Sequence, residues 1–134
     1  MRTRALVLAL LCASLTGCAA VGLTALGVGM ATGVSHTLGG MVYKTFTAPQ
    51  TQVKRATHGA LGRMQVKVLK VQRDRHTETI LAKAGDRDID IELEALTPNT
   101  TRMKVTARQN GGILTDGATA TEVILQTEKI VGPT

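Results

Sequence analysis

The most reactive side chains in this chain of 134 residues are its two cysteines, and Cys18 has an informative context. It ends the tetrapeptide Leu15-Thr16-Gly17-Cys18. A thiol is a nucleophile that can carry a diacylglycerol group. The small residues in front of it allow an extended backbone to enter a peptidase cleft. The tetrapeptide therefore has residue types that suit cleavage before the cysteine and acylation of its thiol.

The residues before this tetrapeptide have the form of a secretory signal. Arg2 and Arg4 make a positive n-region, and the apolar h-region from Ala5 to Ala13 is too short for a bilayer span, which needs about 20 residues. In this position the tetrapeptide resembles a bacterial lipobox. The resemblance implies that residues 1–17 are a lipoprotein signal peptide, that the Gly17–Cys18 bond is cleaved, and that lipid is attached to the Cys18 sulfur. The alternatives are an ordinary secreted protein and an uncleaved anchor helix, but no convincing A-x-A triplet follows the h-region.

The cysteine count agrees with this interpretation. Cys12 would leave with the signal peptide and Cys18 would be acylated, so the folded part would have no thiol. That excludes a disulfide framework, a thiolate metal site and a cysteine nucleophile. The mature chain would have 117 residues, enough for one domain, and without Arg2 and Arg4 it would keep 14 basic and 10 acidic side chains.

A long uncharged segment follows the cysteine. Residues 19–42 contain six glycines and no Asp, Glu, Lys or Arg. Ala25, Gly29 and Gly33 form a small-xxx-small stripe that would let helices approach closely in a membrane, although each glycine weakens a helix in water by about 1 kcal/mol relative to alanine. We expect residues 18–40 to be a lipid-anchored Gly/Ala-rich tether or a membrane-apposed helix. A second membrane span and a low-complexity linker are the alternatives.

From Met41 the composition becomes that of a small folded domain, which we place at residues 41–134. The alternating run MVYKTFT predicts a strand. The run TAPQ at positions 47–50 predicts a helix start, with Thr47 as N-cap and Gln50 at N3 of a capping box. The helix that follows has one apolar face, formed by Val53, Ala56, Ala60, Leu61 and Met64.

Four strand-like runs come next: QVKVLKVQ, TETILAKA, DIDIELEAL and TRMKVTARQ. The first run changes phase at Leu69, which suggests a β-bulge. The third places four acidic residues, at positions 88, 90, 92 and 94, on one face, and the fourth places Arg102, Lys104 and Arg108 on one face. Antiparallel pairing would set these opposite charges across from each other and stabilise the sheet. A divalent-metal surface is disfavoured, because alternate positions on a flat strand diverge.

A glycine-rich loop at Gly111-Gly112 leads to a final helix, expected from about Ala118 to Val131, with the run TATE at positions 119–122 as a second capping box. Its inner face would contain Ala120, Val123, Ile124, Thr127, Ile130 and Val131. The resulting order, β-α-β-β-β-β-α, predicts an α+β two-layer sandwich in which two helices cover one face of a mainly antiparallel sheet. A ferredoxin-like split sheet is the second-ranked topology.

The chain as a whole resembles a family of small bacterial envelope lipoproteins that is catalogued as a domain of unknown function. The resemblance is carried by the lipobox, the Gly/Ala-rich stretch after Cys18, the strand with Tyr43-Lys44 that enters at Ala48-Pro49, and the order of elements. It covers most of the mature chain, and the lipobox is its specific motif. The short join at residues 62–64, between the first helix and the second strand, departs from it. The resemblance implies an envelope lipoprotein and supplies no catalytic residues.

Residues that could carry catalysis are sparse. His36, His58 and His76 have no second histidine at i+3 or i+4, so no local metal pair forms. A G-x-S-x-G nucleophile elbow is absent, and the glycines at Gly85 and Gly111 do not lead into the lysine and helix of a phosphate loop. We therefore expect no enzyme activity, no metal, no cofactor and no small-molecule substrate.

Two non-enzymatic functions remain. One is a structural or protein-interaction module of the cell envelope, held to membrane lipid through acylated Cys18 and docking on an envelope protein partner. The alternative is a binding module for anionic envelope lipid or glycan. Its surface would be the basic side of the first helix, with Lys67 and Lys70 as additions; the helix residues are Lys54, Arg55, His58 and Arg63.

Partners and location can be narrowed further. The sequence pI of about 9.8 invites a nucleic-acid role, but the basic residues lack the interleaved aromatic side chains on which bases stack, so no nucleic-acid partner is expected. The residue after Cys18 is Ala19 and not aspartate. By resemblance to lipoproteins of two-membrane bacteria, this implies anchoring in the outer membrane, facing the periplasm.

Overall fold

The sheet of this protein is built from antiparallel strands that follow the predicted alternation. The computed structural model describes residues 34–36 and 39–132. Its strands are β1 (Val34–His36), β2 (Met41–Phe46), β3 (Lys67–Asp74), β4 (Thr77–Ala84), β5 (Arg87–Thr97), β6 (Thr100–Gln109) and β7 (Leu114–Thr115). Its helices are α1 (Gln50–Arg63) and α2 (Gly117–Val131), with a 3₁₀ turn at Asn110–Gly112.

The strand order within the described residues is β1-β2-β6-β5-β4-β3, with β7 beside β6 and every pair antiparallel. Strands β3 to β6 form an unbroken meander, and β2 pairs with β6. The predicted fold class and element order are confirmed, and the split-sheet alternative is wrong. Two short strands, β1 and β7, were not predicted. Strand β1 lies in the segment assigned to the tether, while residues 18–33 and 37–38 of that segment lie outside the described residues.

The alternation of β5 separates the two faces of the sheet. Ile89, Ile91 and Leu93 are fully buried under the helices, whereas the acidic residues between them are half-buried on the opposite face. Each large apolar side chain that is buried in this way stabilises the fold by about 1.5–3 kcal/mol. The bulge predicted at Leu69 is confirmed, because the register between β3 and β4 shifts there.

Helix α1 begins at Gln50, and the capping box expected there is wrong. Pro49 occupies the N-cap position, and no side chain caps the helix. The Gln50 side-chain amide instead donates hydrogen bonds to the carbonyl oxygens of His76, at 3.1 Å, and Leu93, at 2.7 Å. These bonds tie the start of α1 to the β3–β4 turn and to β5. The predicted apolar face is confirmed for its first four members, with Thr57 as a further buried member, whereas Met64 is the half-buried C-cap of the helix.

The end of α1 explains how so short a join can lead into β3. Met64 is the C-cap, and Gln65 adopts the left-handed conformation with φ at 57°. The Val66 N–H donates to the Leu61 carbonyl at 2.9 Å, and the Gln65 N–H donates to the Gly62 carbonyl at 3.2 Å. This pair of bonds is the Schellman motif, which reverses the chain within two residues.

Helix α2 begins one residue before its expected start, and its cap differs from the prediction. Asp116 is the N-cap, and its side chain accepts a hydrogen bond from the Thr119 N–H. Thr119 is therefore inside the helix, and the capping box predicted at positions 119–122 is wrong. The inner face is confirmed for its first four members, which are buried, and its last two, Ile130 and Val131, are half-buried.

Candidate interaction surfaces

The basic residues predicted on α1 do not gather into one cluster. Arg55 is exposed and His58 is half-buried. Lys54 and Arg63 are nine residues apart, which places them about 14 Å apart along the helix and half a turn apart around it. They therefore lie on opposite flanks of α1. An anionic ligand on this helix would meet Arg55 first, with the other cations spread around it.

Lys54 is engaged in an ion-pair cluster with the sheet. Its ammonium nitrogen lies 2.6 Å from Glu78 Oε1, and an Arg73 guanidinium nitrogen lies 3.0 Å from Glu78 Oε2. The contact of Lys54 is an ion pair without an aligned hydrogen bond, because Oε1 has no well-oriented donor. Glu78 is only 1% exposed on the helix-covered face of β4. Lys54 thus compensates a buried carboxylate and is largely withdrawn from the predicted basic surface.

The charge state of Glu78 follows from two opposing effects. Burial, the largest single effect, raises the pKa of this carboxyl, and the nearby Lys54 and Arg73 lower it. The net pKa lies below its usual value, so the group is ionised at neutral pH. The sequence carried a signal for this cluster, because Glu78 alternates with Ile80 and Ala82 on one face and a carboxylate there needs partners.

A second charged contact joins α2 to β2. Lys44, 5% exposed, places its ammonium nitrogen 2.9 Å from Glu128 Oε1 and 5.7 Å from the centroid of the Phe46 ring. The long stem of lysine packs against apolar neighbours while its charge reaches a carboxylate at the rim of the core. The two ion-pair contacts, Lys54–Glu78 and Lys44–Glu128, therefore fasten one helix each to the sheet.

Asp116 is the most highly coordinated carboxylate described in the structure. Its Oδ1 accepts from the Thr119 N–H at 3.0 Å, and its Oδ2 accepts from the Thr119 hydroxyl, the Gln109 amide and the Arg87 Nε–H at 2.7–2.8 Å. The Thr119 hydroxyl and amide, followed by Gln109 and Arg87, hold the pKa of this carboxyl well below its usual range despite its partial burial. The cluster therefore holds α2, β5 and β6 together.

The face of the sheet opposite the helices carries the predicted charge ladder. Four ion pairs link β5 to its two neighbours: Glu94–Arg102 at 2.5 Å, Glu92–Lys104 at 2.6 Å, Asp90–Arg108 at 3.3 Å and Asp88–Lys83 at 3.5 Å. The expected cross-strand pairing of acidic and basic rows is confirmed. Four of these charged side chains, with Tyr43 and Thr77, line a cleft of about 260 Å³. Since they already pair with one another, the cleft offers an incoming ligand little unbalanced charge.

Strand β3 has a different character from the rest of the sheet. It pairs only with β4 among the described residues, and all its side chains except the half-buried Val68 are exposed. Leu69 is 56% exposed and Val71 is 42% exposed. Lys67 and Lys70, named with the basic helix residues in the sequence analysis, lie on this strand and not on α1. Strand β3 is therefore an exposed, basic and partly apolar edge of the described sheet.

The residues of the predicted lipid-attachment site, Gly17 and Cys18, lie outside the described residues. In residues 34–36 and 39–132, no helix is both long and apolar enough to cross a membrane. The same described part of the chain contains no group of three or more His, Cys, Asp or Glu side chains that could hold a metal ion.

Comparison with known proteins identifies one family. The family described as "Protein of unknown function (DUF3568)" matches residues 3–121. The match extends from the signal-like N-terminal residues through the whole meander and into α2. No curated protein matches the chain.

Proposed function

The chain belongs to this family of proteins of unknown function, and we propose that this member is a lipid-anchored protein of the bacterial cell envelope. Its small α+β domain acts as a structural or protein-interaction module and has no catalytic role. The observation that carries the proposal is the lipobox-like tetrapeptide that ends at Cys18, directly behind a positive n-region and a short apolar h-region. Two or three acyl chains at this position would hold the protein stably, whereas one chain anchors only marginally.

The distribution of charge supports an interaction module over a catalytic one. The acidic row of β5 is paired along its length with cations of β4 and β6. Glu78, Glu128 and Asp116 each join separate elements of the fold. These carboxylates are therefore explained by the stability of the domain. The exposed apolar and basic residues of β3 are not explained in this way.

For the location, we propose the outer membrane, with the domain facing the periplasm, in an organism with two membranes. The support is Ala19, which stands at the position after Cys18 where a retained lipoprotein would have aspartate. Separation of inner and outer membranes on a density gradient tests this. We expect the protein in the outer-membrane fraction, and an Ala19→Asp variant in the inner-membrane fraction. Equal distribution of the two proteins would contradict the proposal.

The lipid anchor is tested by intact-mass analysis of the membrane-extracted protein. We expect a mature species that begins at Cys18 and carries acyl chains, and we expect this species to disappear in Cys18→Ser. The matched control is Cys12→Ser, which alters the other cysteine and should be processed normally because residue 12 leaves with the signal peptide. An uncleaved chain, or one cut elsewhere without lipid, would refute the anchoring proposal.

The interaction role is tested against the alternative of binding anionic lipid or glycan. Anionic and neutral liposomes are incubated with the non-lipidated Cys18→Ser chain, with and without charge reversal of Arg55 and Arg63. Because the uncleaved chain keeps Arg2 and Arg4, the comparison of the two variants is decisive, and the interaction proposal expects the reversal to leave liposome binding unchanged at every salt concentration. Strong binding that is lost in Arg55→Glu/Arg63→Glu would instead favour the anionic-ligand module.

A further inference from the structure

The outer edge of β3 is a long strand edge that no other strand pairs with among the described residues. The strand runs for eight residues, and its described pairing is with β4 alone. Alternate residues of an edge strand direct their N–H and C=O groups away from the neighbouring strand, which makes the edge a template for a further strand. At the opposite end of the sheet, β1 has only three residues.

The side chains of β3 are divided between two faces by its register with β4. Val71 lies opposite Ile80, and Arg73 lies opposite Glu78, so both project on the helix-covered side. Lys70 lies opposite Leu81 on the other side. The helices do not extend over this edge, because Val71 remains 42% exposed although its partner Ile80 is fully buried. An added strand would therefore cover apolar surface that the described residues leave exposed.

The charge of the β3 edge decides which kind of strand could pair with it. Strand β3 carries three cations and a single carboxylate, Asp74, at its end. Arg73 already pairs with Glu78, so Lys67 and Lys70 are the cations that the edge offers to a partner. Asp74 is engaged by the N–H of Arg75 at 2.8 Å. Pairing of this edge with the same edge of a second copy would bring like charges together, which is destabilising. A strand with acidic side chains would meet complementary charges.

We propose that the β3 edge is a docking site for an extended, acidic segment of another protein, which adds to the sheet as a further strand. Main-chain hydrogen bonds would supply the pairing, Lys67 and Lys70 would select an acidic sequence, and Val71 with Leu69 would receive its apolar side chains. This inference rests on the proposed role as an interaction module and specifies where that module binds and what chemistry it recognises.

The test uses the full chain in detergent micelles, labelled with ¹⁵N, and a defined peptide of four Val-Glu repeats with capped ends. Amide hydrogen exchange reports which strand edge gains protection, and amide chemical shifts give the affinity. We expect the peptide to slow exchange of β3 amides by about tenfold or more, with β2 and β6 unchanged. We expect Lys67→Glu/Lys70→Glu to weaken binding by about tenfold, and binding to weaken as salt is raised.

Three controls decide between strand addition and simpler attraction. Arg55→Glu/Arg63→Glu makes the same charge change on α1 and should leave the affinity within about twofold. A Val-Lys peptide should not bind. A Val-Glu peptide methylated at its four central backbone nitrogens cannot form the ladder and should not protect β3.

The proposal is overturned if the methylated peptide binds as well as the unmodified one, or if protection appears away from β3 or nowhere. Protection of β3 that rises with protein concentration in the absence of peptide would assign the edge to a second copy and overturn it as well. Lipid attachment at Cys18 does not depend on this edge. If the chain is found to carry no lipid but the peptide still protects β3, only the anchoring proposal is refuted. If the chain is lipidated but does not bind the peptide, only the edge proposal is refuted.

Discussion

Replacement of Asp116 by alanine should destabilise the domain by about 2–3 kcal/mol. The hydrogen bond from the Thr119 N–H is an N-cap contact, worth about 1 kcal/mol. The bonds from the Thr119 hydroxyl and the Gln109 amide each contribute about 0.5–1.5 kcal/mol, with the lower part of that range expected because both donors can regain water. Asp116→Asn keeps the cap but turns an amide toward donors, so we expect about 1–2 kcal/mol for it.

The effect of Asp116 should also depend on pH, with a definite sign. Its native pKa is depressed, so the carboxylate stabilises the fold above the unfolded-state pKa of about 3.9. That contribution is lost as the pH falls from this value toward the native pKa. The stability gap between the wild type and Asp116→Asn should therefore be full at neutral pH and should shrink as the pH is lowered below about 4.

Urea unfolding followed by far-UV circular dichroism is the suitable assay, because the chain has no tryptophan and only one tyrosine. The matched control is Asp86→Asn. The Asp86 side chain is 61% exposed, and its Oδ1 lies 3.9 Å from a guanidinium nitrogen of the same Arg87. Its loss should therefore cost less than about 0.5 kcal/mol. The reasoning is refuted if Asp116→Ala costs no more than this control, or if the gap to Asp116→Asn is constant between neutral and acidic pH.

The remaining predictions use the same unfolding assay. Glu78→Gln should cost about 1–2 kcal/mol at neutral pH and progressively less below about pH 4, because the depressed pKa of this buried carboxyl makes it stabilising only when ionised; a pH-independent cost would contradict this. Gln65→Gly should stabilise by about 0.5–1 kcal/mol, since φ is 57° there; a loss of stability would count against the Schellman assignment. Gly40→Ala should cost clearly more than Gly85→Ala, because both glycines have positive φ but only at Gly40 would the new Cβ lie 2.5 Å from the Thr115 Cβ; equal costs would show that the contact yields freely.

The parts of the fold that could be predicted from sequence are those set by local periodicity. The strict alternation of DIDIELEAL places Ile89, Ile91 and Leu93 on one face whatever surrounds them, and the structure buries all three. The charge rows of β5 and β6 were predictable for the same reason, since a two-residue period carries them to one face. The bulge at Leu69 was visible as a break in that period.

The helix caps show where local reasoning fails. Thr47 and Thr119 stand in sequence contexts that match a capping box, yet neither caps a helix. Gln50 instead donates hydrogen bonds to carbonyl oxygens of the β3–β4 turn and of β5. Asp116 accepts hydrogen bonds from residues of β5, β6 and α2. These partners come from distant segments of the chain, so the choice between them and a local cap depends on the packed fold.

The sequence by itself determined the fold class and the faces of the strands, and it carries the proposal at Cys18, because each depends on residue type and spacing along a few neighbouring positions. Only the tertiary structure decided that Lys54 pairs with the buried carboxylate of Glu78, that the predicted basic helix face is divided, and that β3 lies at an edge of the described sheet. These outcomes depend on which distant segments meet. Pairing partners and edges are set by the global arrangement of strands, which burial of the whole core selects, and a local pattern is identical in a central strand and at an edge.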